Sequence, residues 1–221
     1  MKKWLRDNGL SLTLFSLSAA CLVGHALSGW AAYNEELARD GAHTMSLAGY
    51  LVTGQFGSSV FENWESEFLQ MGAYVMLTAY LFQRGSPESK DPERAAPQDR
   101  DPALDKDKAD APWPVRAGGL ARTLYAHSLG LALFALFAAS FVLHWINSTR
   151  LADAEALRNY EAAPSLLQHL ASASFWFESF QNWQSEFLST AVLIVLAVYL
   201  REKGSAESKP VSAAHAQTGN E

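Results

Sequence analysis

The sequence predicts an all-α membrane protein in which four transmembrane helices are built as two tandem repeats. One reason is an internal duplication: FENWESEFL at 61–69 recurs as FQNWQSEFL at 180–188, an offset of 180 − 61 = 119 residues. The other is that long uncharged apolar runs alternate with charged segments. Each repeat is expected to form a helix, an outer segment and a second helix, with pseudo-twofold symmetry about an axis along the membrane normal.

The duplication extends over both halves of the chain without a gap. Among the identical residues that the offset of 119 relates are His25 and His144, Arg39 and Arg158, Phe56 and Phe175, and Tyr80 and Tyr199. It also places GSPESK at 85–90 on GSAESK at 204–209. Because chance does not keep one register over half a chain, we expect both halves to fold as the same unit. A function of this protein is then expected to use two copies of one site.

The apolar segments predict where the four spans lie. The uncharged runs 10–33 and 124–146 each exceed the roughly 20 residues that cross about 30 Å of hydrocarbon. The uncharged parts of the return helices are too short to cross, so helix is expected to extend back into the FENWESEFL motif. The motif then lies in the outer part of the membrane. The predicted spans are about 10–33, 62–83, 124–146 and 181–200.

The spans divide the chain into four regions. The first repeat is expected at 1–84 and the second at 120–203. The segments 85–119 and 204–221 are polar and poor in large apolar residues, so we expect a disordered linker and a disordered tail. The start of the chain resembles a signal peptide, but its counterpart lies mid-chain, which favours an uncleaved anchor.

Basic residues predict the orientation. They cluster before the first span, between the second and third spans, and after the fourth: Lys2, Lys3, Arg6, Arg84, Lys90, Arg94, Arg116, Arg122, Arg201, Lys203 and Lys209. The other two loops carry only Arg39, Arg150 and Arg158. Because positive loops remain inside, both termini and the linker are expected to be cytoplasmic.

Composition and motifs argue against two classes of protein: nucleic-acid-binding proteins and enzymes that use one of several common catalytic motifs. The net charge of −6 gives no support for nucleic-acid binding. The single cysteine, Cys21, lies in the first predicted span and cannot form an intrachain disulfide. The chain has no Cys-x-x-Cys, His-Glu-x-x-His, Walker or Gly-x-Ser-x-Gly motif, which argues against an enzyme with one of these chemistries. The sequence assigns no cofactor or metal.

Polar residues at membrane depth form the candidate site. These are His25, Asn63, Ser66, Glu67, His144, Asn182, Ser185 and Glu186. Counted from the cytoplasmic ends of their spans, His25 and Glu67 lie roughly 24 Å and roughly 23 Å deep. The same count matches His144 with Glu186, so we predict one His and Glu pair in each repeat. Each pair is expected either to lock helix packing or to titrate or bind a ligand.

Two further features of the motif lead to expectations. Trp64 and Trp183 are expected to be aromatic anchors at the membrane interface. Glu62 and Glu65 are Gln in the second repeat, so their charge is not required by what the two repeats share. We expect these two carboxylates to face the outer water, near the N-terminus of the return helix.

The motif FENWESEFLQ at 61–70 and the following GSPESK resemble those of an uncharacterised family of bacterial multi-pass membrane proteins. The resemblance covers both repeats and implies a four-helix inner-membrane protein. It implies no activity and no functional residue. The second copy departs from the pattern at Gln181, Gln184 and Ala206, which makes it the more diverged half.

Three functions are compatible with the sequence. The leading interpretation is a non-catalytic structural or interaction component of the bacterial envelope, with the bilayer and either a second copy or another envelope protein as partners. The first alternative is a small transporter or proton-coupled permeation protein that uses the paired His, Glu and Asn residues. The second is a metal or haem protein in which His25 and His144 are ligands.

Overall fold

The computed structural model describes residues 2–219 of the 221-residue chain. Met1, Asn220 and Glu221, which the predicted first repeat and tail include, lie outside the described residues. Throughout the described part, every regular element is helical, which confirms the predicted all-α class. The helices are α1 (Lys2–Asp7), α2 (Gly9–Arg39), α3 (Leu47–Tyr50), α4 (Gly54–Tyr80), α5 (Trp113–Ala117), α6 (Gly119–Ala126), α7 (Ser128–Arg158), α8 (Leu166–Leu170) and α9 (Ala173–Tyr199), with short 3-10 turns at Pro97–Asp99 and Pro102–Asp105.

The secondary structure repeats with the same offset as the sequence. Helices α2 and α7 each have 31 residues, and α4 and α9 each have 27. The first residues of both pairs differ by 119, since 128 − 9 = 119 and 173 − 54 = 119. Each half of the chain therefore contains the expected order of a long helix, an outer segment and a second long helix.

Two of the described helices, α2 and α7, are long and apolar enough to cross a membrane. At 1.5 Å per residue each is about 46 Å long, which exceeds the roughly 30 Å of hydrocarbon. Both helices continue past the predicted ends of their spans at 33 and 146. The reason is that hydropathy marks only the apolar part of a helix, whereas the helix itself also includes the charged turns that follow.

The return helices begin eight residues earlier than the sequence predicts, at Gly54 and Ala173 instead of at 62 and 181. Thr53 and Ser172 precede these first residues, and each accepts the backbone N–H three residues on, at 3.3 Å. This N-cap satisfies one of the amide groups that a helix start leaves unpaired. The whole FENWESEFL motif and its copy are therefore helical, as predicted.

Each outer segment contains a short helix. Ser46 and Ser165 precede α3 and α8 with the same backbone angles, φ −69° and ψ 159°. The Ser46 side chain accepts the N–H of Gly49 at 3.2 Å, and the Ser165 side chain accepts that of Gln168 at 3.3 Å. Since 165 − 46 = 119, the two repeats start these helices with the same cap.

The chain divides into two compact units that differ from the sequence repeats. The first unit holds the chain up to Phe61 together with Leu143–Phe175, and the second holds Glu62–Val142 together with the chain from Trp176 onwards. Each unit therefore contains segments of both repeats.

The first unit is packed around an aromatic cluster and a close helix crossing. The ring of Tyr50, on α3, is buried and lies 5.7 Å from that of Tyr33 on α2 and 5.5 Å from that of Phe56 on α4. At Gly54 the start of α4 touches the backbone of α7, because a Cβ there would lie 2.5 Å from the Leu151 nitrogen. These contacts hold α2, α3, α4 and α7 together in this unit.

The second unit joins α7 to α9 through aromatic rings. The ring of Trp183 on α9 lies 6.1 Å from that of Phe137 on α7, and 6.2 Å and 5.4 Å from those of Trp176 and Phe180. The ring of Trp176 also lies 6.2 Å from that of Phe141. Edge and tilted contacts at these distances are favourable for aromatic pairs.

The first residues of the predicted linker and tail form matching turns in the second unit. Ser89 Oγ accepts the N–H of Gln83 at 2.9 Å, and Ser208 Oγ accepts that of Glu202 at the same distance. Gly85 and its counterpart Gly204 have φ of +85° and +89°, a conformation that favours glycine. The GSPESK sequence and its copy are thus two copies of one turn.

Candidate functional site

A row of polar side chains joins α4 and α9 in the second unit. Three hydrogen bonds cross between the helices: Asn182 Nδ2 donates to Glu62 Oε1 at 2.5 Å, Trp183 Nε1 to Glu65 Oε1 at 3.1 Å, and Gln70 Nε2 to Thr190 Oγ1 at 2.6 Å. We call these six residues the polar seam. Its members come from the two copies of the duplicated motif and from the turns that follow them.

Helical spacing explains why the polar seam is continuous. Glu62 and Gln70 are eight residues apart on α4, and their partners Asn182 and Thr190 are eight residues apart on α9. Eight residues make just over two turns, about 12 Å, so both bonds lie on one face of each helix. Because the spacing matches, the polar seam holds α4 and α9 in one register within this unit.

Glu65 is the most buried carboxylate of the polar seam, with none of its surface exposed. The prediction that it faces the outer water is therefore wrong. A buried carboxylate needs donors, and the indole N–H of Trp183 supplies one. The prediction compared Glu65 with its repeat equivalent, Gln184. That comparison misled because Gln184 is exposed whereas Glu65 is buried.

Carboxylates are concentrated along this face of α4 and α9. Glu67 lies at the midpoint of α4, 13 residues from each end, and Glu186 lies at the midpoint of α9. The two carboxylates are close enough for their charges to interact. Towards the N-terminal ends of the helices, a carboxylate oxygen of Glu62 lies within 4.8 Å of one of Glu178. Negative charge thus accumulates on both sides of the Trp183 bond.

The structure gives His25 a different partner from the predicted Glu67. In the first unit, His25 Nε2 lies 2.9 Å from Ser59 Oγ. Ser59 precedes Glu67 by eight residues, about 12 Å along α4. The predicted pairing assumed that the cytoplasmic ends of the two helices lie at the same depth. The bond shows instead that Ser59, two turns closer to the start of α4 than Glu67, lies level with His25. His25 Nε2 therefore bonds to Ser59 and not, as predicted, to Glu67.

A histidine against a phenylalanine is the contact that both repeats share in the first unit. The rings of His25 and Phe56 lie 5.6 Å apart, and those of His144 and Phe175 lie 5.0 Å apart and are stacked. Both pairs are related by the offset of 119. His144 and Phe175 are fully buried. The offset that relates these two pairs was visible in the sequence. The estimate of depth, however, predicted Glu67 and Glu186 as the partners of the two histidines.

The predicted serines are satisfied within their own helices. Ser66 Oγ donates to the Asn63 carbonyl and Ser185 Oγ to the Asn182 carbonyl, each at 2.8 Å. Ser66 is buried and Ser185 is exposed. Asn182, another member of this predicted group, reaches the other helix through its side chain, which donates to Glu62.

The two predicted anchors have different surroundings. The side chain of Trp64 is exposed, as a membrane anchor requires, and this role stays a prediction. Trp183 packs into the aromatic cluster of the second unit and donates to Glu65. Sequence reasoning therefore missed its part in the polar seam. The indole N–H of Trp183 lies one turn from polar residues of the same helix, and this spacing could have indicated its role in the polar seam.

No curated protein and no solved structure matches this chain. One family matches it, described as "Domain of unknown function (DUF6766)", over residues 1–220. The match covers both repeats, the linker and nearly all of the tail. The chain therefore belongs to this uncharacterised DUF6766 family.

Proposed function

We propose that this protein is a non-catalytic, four-helix component of the bacterial inner membrane that serves as a structural or interaction protein of the envelope. The polar seam carries this proposal. Its three bonds are made between side chains of α4 and α9, so they join helices. In lipid the hydrophobic effect does not drive helices together, so close packing and interhelical hydrogen bonds order the helices against one another.

Exposed apolar helices support a membrane location. Of the most apolar windows of α2 and α7, 0% and 11% of the residues are buried within the chain. So much exposed apolar surface requires lipid or a partner to cover it. Helices α4 and α9, at 27 residues or about 40 Å, are long enough to serve as the return spans. Two hairpins in the same orientation would then be related by the proposed axis along the membrane normal.

The proposed topology predicts the behaviour of reporter fusions. Fusions after Glu88 and at the C-terminus are expected to be active as cytoplasmic reporters, and a fusion after Arg39 as a periplasmic reporter, because basic clusters flank the former positions. The measurement is the ratio of alkaline phosphatase to green fluorescent protein activity at each position. The reverse pattern, or one compartment for all three positions, would overturn the four-span arrangement.

The facing carboxylates favour a second candidate function, proton-coupled permeation. Glu67 and Glu186 lie at the midpoints of α4 and α9, where an ionisable residue is costly in a membrane and is retained mainly for function. Two carboxylates that repel one another take up a proton readily, since protonation removes the repulsion. Four spans are few for a transporter, so this function would require a dimer.

Removal of the charges of Glu67 and Glu186 distinguishes the structural role from proton-coupled permeation. If the role is structural, the double variant Glu67→Gln, Glu186→Gln is expected to fold with a melting temperature within about 2–4 °C of the parent, the shift that 1 kcal/mol produces at this size. Proteoliposomes of the parent are then expected to be no more permeable to protons than empty liposomes, as measured with an internal pH dye. Glu161→Gln, at an exposed position, is the matched control. A proton flux in the parent that the double variant loses would favour permeation and contradict the structural proposal.

A further inference from the structure

A cavity of about 250 Å³ lies at the C-terminal end of α4 in the second unit. Its walls are mainly apolar, and its polar lining residues are Tyr74, Thr78, Gln83, Ser86, Glu88 and Ser89. The apolar lining includes Leu77, Leu81 and Phe82, whose side chains are about half exposed, and Ile194 on α9. The cavity therefore combines one carboxylate with an apolar wall that continues onto the outside of the helix.

The Glu88 carboxylate is held in place on one side and unsatisfied on the other. The Tyr74 hydroxyl donates a hydrogen bond to Glu88 Oε2. The other oxygen, Oε1, is buried and accepts no hydrogen bond from any residue between 2 and 219. A buried acceptor that is left without a donor costs free energy. A ligand that brings a donor to Oε1 would recover this loss.

The cations closest in sequence to Glu88 are paired with other acids, although Lys90 Nζ also lies 5.7 Å from the centroid of the Phe82 ring at the cavity wall. Arg84 forms a two-pronged ion pair with Glu93. Lys90 Nζ lies 2.7 Å from Asp99 Oδ1 and also donates to the Ala79 carbonyl at 2.7 Å.

A second carboxyl lies beside that of Glu88. The carboxyl of Glu207 is within hydrogen-bond reach of the Glu88 carboxyl, so the two can share a proton, and their charges also interact. The cavity is therefore negatively charged at Glu88, and the two carboxyls need either a cation or a shared proton beside them.

We propose that this cavity binds the head of an amphipathic primary amine, whose ammonium group donates to Glu88 Oε1. The cavity is slightly smaller than the roughly 300 Å³ at which typical ligand pockets begin, so it accommodates a head group and not a whole drug-sized molecule. The alkyl chain leaves over the exposed Leu77, Leu81 and Phe82. This site goes beyond the proposed structural function, which stands or falls separately.

The duplication provides an internal comparison for the site. Glu207 is the repeat equivalent of Glu88, since 207 − 88 = 119, but it is exposed. The equivalent of Tyr74 is Leu193, which has no hydroxyl to hold a carboxylate. The same turn sequence therefore forms a binding site in the first repeat and not in the second, so we expect one ligand per chain.

Binding of radiolabelled dodecylamine to the full chain in phosphatidylcholine nanodiscs tests the proposal. The parent protein is expected to show saturable binding of one amine per chain above empty nanodiscs, and Glu88→Gln is expected to weaken it at least tenfold. Dodecanol, which has the same chain and no charge, is expected not to compete. Glu202→Gln is the matched control: it removes one exposed carboxylate of the same unit and introduces the residue that the first repeat has at the equivalent Gln83.

The expected control result is binding within twofold of the parent. A proton shared by Glu88 and Glu207 would satisfy the carboxyls without a ligand, and the parent would then bind no more amine than empty nanodiscs. That result overturns the proposal, as does equal binding by Glu88→Gln and the parent. Tyr74→Phe is a second variant that leaves the charge in place but removes the bond that orients it. We expect it to weaken binding severalfold, and unchanged binding would contradict the assigned role of the hydroxyl.

Discussion

Gly54→Ala is expected to destabilise the protein by about 3 kcal/mol, the upper end of the usual cost of overpacking. The added Cβ would lie 2.5 Å from the Leu151 nitrogen and 2.6 Å from the Asn147 carbonyl oxygen. Both are backbone atoms of α7, so no side-chain rotation relieves the clash. Helices α4 and α7 would have to move apart in the first unit, which disrupts the aromatic packing beside the crossing.

Gly24→Ala is the control for this substitution. Gly24 also lies within a helix, α2, and a Cβ there would meet nothing within 4 Å. Alanine at an unobstructed helical position is expected to be neutral or to stabilise by about 0.5–1 kcal/mol. Thermal unfolding of the purified variants in one detergent, followed by circular dichroism, compares the two. Equal melting temperatures for both variants would show that the close approach of α4 and α7 is absent in solution.

Glu65→Ala is expected to destabilise the second unit by about 3 kcal/mol, because a buried side chain is removed and the Trp183 indole N–H loses this acceptor. Glu65→Gln keeps an oxygen acceptor of similar size and is expected to stay within about 1 kcal/mol of the parent.

A double-mutant cycle isolates the bond between the two helices. Trp183→Phe keeps an aromatic ring but removes the indole donor, so Glu65→Ala is expected to cost less in that background than in the parent. We expect a coupling free energy of about 1 kcal/mol or more, measured from the four melting curves. Additive effects would mean that the Trp183 hydrogen bond does not contribute to stability, and the polar seam would lose this member.

The helical elements and their repetition could be predicted from the sequence. The uncharged runs marked α2 and α7, and the offset of 119 correctly related the ends of all four long helices. Local signals were also present at the ends that hydropathy missed. Thr53 and Ser172 are good N-caps, and reading them would have moved the starts of α4 and α9 to the observed residues.

The partners of the polar residues could not be predicted in the same way. Depth along a span was estimated from the ends of apolar runs, and an error of two helical turns was enough to replace Ser59 by Glu67 as the residue beside His25. The sequence also did not show which of the polar residues are buried. Glu65 and Gln184 are equivalent in sequence, yet only Glu65 is turned into the packed interior.

The sequence by itself determined the helical class, the two repeats and their matching caps, because these depend on the order of residues along one chain segment. Only the tertiary structure decided which polar groups meet: Glu65 with Trp183, Gln70 with Thr190, and Tyr74 with Glu88. The rotation and register of one helix against another select these pairs, and they result from packing over the whole interface. The repeated sequence could not reveal them, because equivalent residues in the two copies lie in different surroundings.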